Sequence, residues 1–130
     1  MPVLALYSGL LGLIFIALSY KVVKHRKQFE IGIGDGDNKD LGRSIRVQAN
    51  FTEYVPMALV LLAVFEYNKG DLMVAHACGI LLVLARLLHA YGLGKTVRTS
   101  FGRFVGVLLT WVVTILLSGF NIYYFLLTHI

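Results

Sequence analysis

The sequence predicts an all-α integral membrane protein: a single four-helix transmembrane bundle of up-down topology. Three observations carry this prediction. The chain of 130 residues is 58% hydrophobic and only 15% charged, which is too apolar for an ordinary soluble domain. Its apolar residues fall in four runs, each able to cover a hydrocarbon core of about 30 Å at roughly 1.5 Å per helical residue. Its basic residues gather between the runs, mostly in the first and third connections. Helix is the state such runs must adopt, because open strands leave backbone groups unsatisfied in lipid.

The first helix is expected over residues 2–23. This run lacks a basic segment ahead of it, its lysines and arginine (Lys21, Lys24, Arg26, Lys27) come after it, and no small-residue cleavage site follows. It therefore reads as a retained membrane helix and not as a signal peptide. The second helix is expected over residues 41–67, amphipathic in its first half and uniformly apolar in its second. A short turn, Tyr67-Asn68-Lys69-Gly70-Asp71, joins it to a third helix over residues 72–91. So short a connection makes the two antiparallel neighbours, and Asp71 is placed to cap the third helix. Gly92 and Gly94 punctuate its end. The fourth helix is expected over residues 98–127. The chain shows one domain, with no repeat and no low-complexity linker.

Loop charge orients the bundle. The first connection carries Lys21, Lys24, Arg26, Lys27, Lys39 and Arg43, and the third carries Lys95, Arg98 and Arg103 without an acid. The second carries Lys69 alone, and the termini have neither lysine nor arginine. Both termini are therefore expected on the non-cytoplasmic side, with the polar half of the second helix at the cytoplasmic side. The net charge of +5 belongs to these loops and does not indicate nucleic acid. The single cysteine, Cys78, lies among apolar residues and reads as a buried, inert thiol.

Three weaker patterns carry no chemistry. Gly94-Lys95-Thr96 resembles the end of a phosphate-binding loop, but His89 stands where the upstream glycine is needed. Asp35-Gly36-Asp37-Asn38-Lys39-Asp40 resembles a calcium loop, but Lys39 and Arg46 occupy ligand positions. The four histidines have no metal-ligand spacing with an acidic partner, so no metal site is expected.

The informative stretch is Arg46-Val47-Gln48-Ala49-Asn50-Phe51-Thr52-Glu53-Tyr54-Val55-Pro56. Arg43, Arg46, Asn50, Glu53 and Met57 recur three or four residues apart and share one helical stripe. Arg86 and His89 form a second such pair on the third helix, expected at the same depth. Ionised groups in a membrane helix cost about 2.5–3.5 kcal/mol each near the bilayer centre, so their retention points to a ligand site or an ion path. Two stripes facing one another suit a zwitterionic ligand. An internal salt-bridge network that only orients the helices is the other reading of the same residues.

Arg46-x-Gln48-x-Asn50-x-x-Glu53-Tyr54-x-Pro56 resembles the second-helix signature of the MAPEG family, the membrane-associated proteins in eicosanoid and glutathione metabolism. Ala85-Arg86-Leu87-Leu88-His89-Ala90-Tyr91-Gly92 resembles its third-helix signature. The similarity covers the whole chain and is strongest with the small bacterial branch, which implies an inner-membrane protein. The resemblance implies a homotrimer in the lipid bilayer with glutathione as co-substrate, bound near the cytoplasmic face. By position, Arg46, Gln48, Asn50, Glu53 and Tyr54 would line the glutathione pocket, joined by Arg86 and His89, and by Arg26 from the first loop. Arg98 would be catalytic, holding the glutathione thiol as a thiolate, with Arg103 as the alternative. A free thiol titrates near 8.5, so a neighbouring guanidinium increases the reactive anion at neutral pH. Such a protein would be a glutathione-dependent transferase or peroxidase acting on small hydrophobic electrophiles. Catalytic relatives carry a tyrosine where this chain has Leu93; Tyr91, two residues earlier, is the nearest substitute. That departure keeps a non-catalytic protein binding glutathione or a lipid as the alternative.

Overall fold

The computed structural model describes residues 1–95 and 101–130, with side chains through Tyr91 and again from Phe101. The described residues form four helices and no strand: α1 (Pro2–Phe29), α2 (Lys39–Tyr67), α3 (Leu72–Lys95) and α4 (Phe101–His129). All four are long and apolar enough to cross a membrane. Large apolar side chains such as Leu13, Ile16 and Ile115 stand exposed on their outer faces, as lipid contact requires.

α1 continues to Phe29, past the expected end at residue 23. The segment Lys21–Phe29 is polar but contains no glycine or proline, and its lysines, arginine and glutamine are good helix formers. The helix ends where Glu30 turns left-handed (φ 55°), its N–H bonding to the Arg26 carbonyl. Arg26 and Lys27 in the last turn complement the helix dipole. α2 starts at Asn38, whose side-chain oxygen accepts from the Leu41 N–H at 3.0 Å. α3 is capped by Asp71, which accepts from the Val74 N–H at 3.0 Å. Its backbone stays helical through Gly92 and Gly94 to Lys95, where the sequence suggested an end near Tyr91. A glycine weakens a helix by about 1 kcal/mol but does not forbid it. Backbone satisfaction in an apolar medium outweighs that deficit.

α2 packs against each of the other three helices, and α3 packs most extensively on α4. The core is Leu11 of α1, Leu62 of α2, Leu82 of α3, and Val113 and Leu117 of α4, all about fully buried. α3 and α4 approach one another closely at Gly106. A Cβ there would lie 2.6 Å from the Ala85 carbonyl oxygen and 2.8 Å from the His89 nitrogen.

A polar clamp joins the start of the first helix to the end of the second. α1 has no acid in its first turn and no side-chain cap of its own. The Glu66 carboxylate, near the end of α2 and almost buried, accepts from the Val3 N–H at 3.0 Å and the Leu4 N–H at 2.7 Å. It caps α1 across the bundle, supplying both the missing acceptors and the negative charge that a helix N-terminus favours. Glu66→Ala is expected to lower unfolding stability in detergent by about 1–2 kcal/mol, the range of a lost N-cap. Glu66→Gln should lie between, because the amide keeps an acceptor without the charge. Equal stability of all three proteins would show that the clamp contributes nothing.

Candidate functional site

The residues expected to form a site sort into an exposed stripe and a buried cluster. On α2, Arg46 and Glu53 stand two turns apart on one face, each side chain about half exposed (53% and 52%). Their ion pair is long: Arg46 Nη1 donates to Glu53 Oε1 at 3.5 Å. An exposed pair with that geometry contributes at most about 1 kcal/mol, so both charges remain available to a ligand.

The buried cluster lies between α2 and α3. Arg86 and His89 are each 1% exposed. Arg86 Nη2 donates to Asn50 Oδ1 at 2.6 Å and lies 3.4 Å from His89 Nδ1. The guanidinium carbon sits 5.8 Å from the centre of the Phe51 ring. Nε and Nη1 of Arg86 are buried and have no hydrogen-bond partner among the described residues. The structure thus joins Asn50 to Arg86 and His89, and Arg46 to Glu53, as two adjacent units on α2. Gln48 and Tyr54 are partly buried on the same helix, and Tyr91 is exposed on α3. Arg26 serves the first loop, where its Nη1 donates to the carbonyls of Ile31 at 3.2 Å and Gly34 at 2.9 Å. Arg98 lies outside the described residues, as does the Leu93 side chain.

A cavity of about 480 Å³ opens beside Arg46. Its walls carry four cations, Lys39, Arg43, Arg46 and Arg103, and two acids from the first loop, Asp35 and Asp37. Arg43 is itself paired with Asp40. Of the expected pocket residues on α2, only Arg46 lines this space. Asp35 and Asp37 of the first loop and Lys39 at the start of α2 were not expected here. Their signal in the sequence was a polar turn directly ahead of the α2 cap, which the calcium-loop comparison set aside. The volume falls within the range of small-molecule sites, and the mixed charge suits a ligand bearing carboxylates and an ammonium group.

The fold and this polar layer can be set beside known proteins. The family model described as "MAPEG family" matches residues 4–123. The inner membrane protein YecN of Escherichia coli strain K12 is 36% identical over 120 residues, which cover 92% of this chain and 90% of that protein. YecN of Escherichia coli O6:H1 strain CFT073 matches to the same extent. With four membrane-length helices and a match along nearly its whole length, this chain is an integral inner-membrane protein and belongs to the MAPEG family.

Proposed function

We propose that the protein is a membrane-bound glutathione-dependent transferase or peroxidase that acts on hydrophobic electrophiles. The observation that carries this reading is the loosely paired, half-exposed Arg46 at the wall of a 480 Å³ cavity, with further cations beside it. Arg46 would meet a glutathione carboxylate through its fork of donors, and Glu53 would meet the ammonium group. Asn50, held through its oxygen by Arg86, would offer its amide N–H groups to the tripeptide. The protein would work as a homotrimer, with up-down helices, both termini outside the cytoplasm and the site facing it. The asymmetry of loop charge supports that orientation.

In this reading Arg98 holds the glutathione sulfur as a thiolate. The thiolate attacks an electrophilic carbon, forming a carbon–sulfur bond as the leaving group departs with its electron pair. With a hydroperoxide it attacks the terminal oxygen instead and breaks the O–O bond; the alkoxide leaves and takes a proton from water as the alcohol, and the thiol of a second glutathione displaces water from the sulfenic acid to give the disulfide. Lipid-facing surface beside the site would admit apolar substrates. Leu93, at the position of the family tyrosine, favours one competing reading: a protein that binds glutathione or a lipid without turnover.

A titration with glutathione separates these readings. Thiolate absorbance should rise with saturation in the wild type and disappear in Arg98→Ala, while Arg103→Ala retains it. Ligand-dependent thermal stabilisation without thiolate or turnover would favour the binding protein. Glu53→Gln should weaken glutathione affinity by about 10- to 100-fold, the worth of one hydrogen bond to a charged group. Unchanged affinity would remove Glu53 from the pocket.

A further inference from the structure

A second concave surface runs along the seam between α1 and α2, and of its lining residues only Arg43 is shared with the wall of the larger cavity. It has two parts. Towards the loop end of the helices, Lys21, His25, Asp40, Arg43 and Ser44 surround a polar recess of about 130 Å³. Further along, an apolar groove of about 290 Å³ lies between Leu11, Gly12 and Phe15 on α1 and Phe51, Val55 and Leu59 on α2. Val47 lines the recess and Phe51 lines the groove, one helical turn apart on α2. We propose that this seam is a binding site for one anionic phospholipid, with the phosphodiester in the recess and an acyl chain in the groove.

The hydrogen bonding of each part fits that occupant. Ser44 Oγ donates to the Leu41 carbonyl at 2.9 Å, which uses its only proton. Its oxygen is thus placed to accept from His25 Nδ1, 3.1 Å away. Lys21 is exposed at the mouth of the recess. Arg43, although paired with Asp40, has further N–H donors to offer. Two cations and one carboxylate leave one unit of positive charge, the complement of a single phosphodiester. A headgroup that also carries an ammonium group brings a second cation towards Lys21 and fits less well.

The groove offers nothing polar to a ligand. The two hydroxyls on its rim are committed to their own helices: Ser8 Oγ donates to the Ala5 carbonyl and Thr52 Oγ1 to the Gln48 carbonyl. The Phe15 and Phe51 rings, 5.8 Å apart, meet in its wall. Lengths agree as well. Lys21 and Leu11 are separated by about 15 Å of helix, which is roughly one leaflet of the hydrocarbon core. The basic side chains thus lie at headgroup level when the groove lies at acyl-chain level. Basic pockets between membrane helices are established lipid headgroup sites in general.

The full-length protein, purified from nanodiscs holding equimolar phosphatidylglycerol and phosphatidylethanolamine with identical acyl chains, provides the test. Lipid retained by the protein is counted by native mass spectrometry. The wild type should retain phosphatidylglycerol in preference. Lys21→Gln should reduce that preference about fivefold, and Lys21→Gln with Arg43→Gln by more than tenfold, as expected for one cation each near a membrane surface. Gly12→Leu should reduce retention of both lipids without lowering the thermal midpoint, because a side chain at Gly12 enters open space. Four outcomes of the retention measurement would overturn the proposal. They are equal retention of the two lipids, a preference indifferent to Lys21, full retention by Gly12→Leu, and no retained lipid in the wild type because a second copy of the chain seals the seam. Glycerol phosphate added alone should not stabilise the protein as phosphatidylglycerol does; equal stabilisation would assign the recess to free phosphate and likewise end the lipid proposal.

Discussion

Gly106→Val is expected to leave no folded protein that survives purification. A Cβ at this position would lie 2.6 Å from the Ala85 carbonyl oxygen and 2.8 Å from both the nitrogen and the Cβ of His89. Two of those three atoms are α3 backbone, so no rotamer change relieves the clash and the helices must separate. Overpacking in a rigid core costs about 1–3 kcal/mol and sometimes more, and valine adds two methyl groups beyond the clashing carbon. The α3–α4 contact is the most extensive in the bundle, so the whole packing surface shifts with it. Thr110 reinforces the position: its hydroxyl is buried and donates to the Gly106 carbonyl at 2.8 Å. Gly106→Ala should already lower the unfolding midpoint in detergent and weaken glutathione binding, because His89 is displaced from Arg86. Gly9→Ala and Gly119→Ala are controls that should change neither, since a Cβ at either meets nothing within 4 Å. Normal stability of Gly106→Val would show that α3 and α4 do not meet as closely as described.

The parts of this fold that were legible in the sequence are those set by local chemistry. Four apolar runs of membrane length gave four helices, and Asp71, a polar residue ahead of an apolar run, proved to be a cap. Glu66 was not legible. It lies near the end of an apolar helix, and nothing in its neighbourhood connects it to the amide groups of Val3 and Leu4 more than sixty residues away. Spacing placed Arg86 and His89 on one face of α3, but spacing carries no depth. Arg46, Asn50 and Arg86 read alike as polar groups in apolar helices. The structure leaves Arg46 half exposed, buries Arg86 completely and gives Asn50 to Arg86. Periodicity names the face of a helix; only the partner helix decides which of its residues meet a ligand and which meet one another.

That difference in depth makes Asn50 and Arg86 unequal under mutation. Asn50→Leu should destabilise the protein by about 3–5 kcal/mol, the cost of leaving a buried charge without its acceptor. Arg86 would then keep the Phe51 ring and the distant His89 nitrogen, with Nε and Nη1 already unpartnered among the described residues. Arg86→Met should cost far less, within about 1 kcal/mol of wild type. It leaves the Asn50 oxygen unpaired, a loss of about 1–3 kcal/mol, but it also removes a guanidinium whose desolvation one strong hydrogen bond does not offset. Adding Arg86→Met to Asn50→Leu should therefore restore about 2 kcal/mol or more, a coupling that a double-mutant cycle reads directly. Asn50→Asp should raise stability, because a carboxylate makes the 2.6 Å contact charge-assisted. The same substitution should abolish glutathione binding, since an aspartate presents no N–H to the tripeptide. If Asn50→Leu were instead as stable as wild type, Arg86 would have another acceptor, and Asn50 would not be the group that holds it.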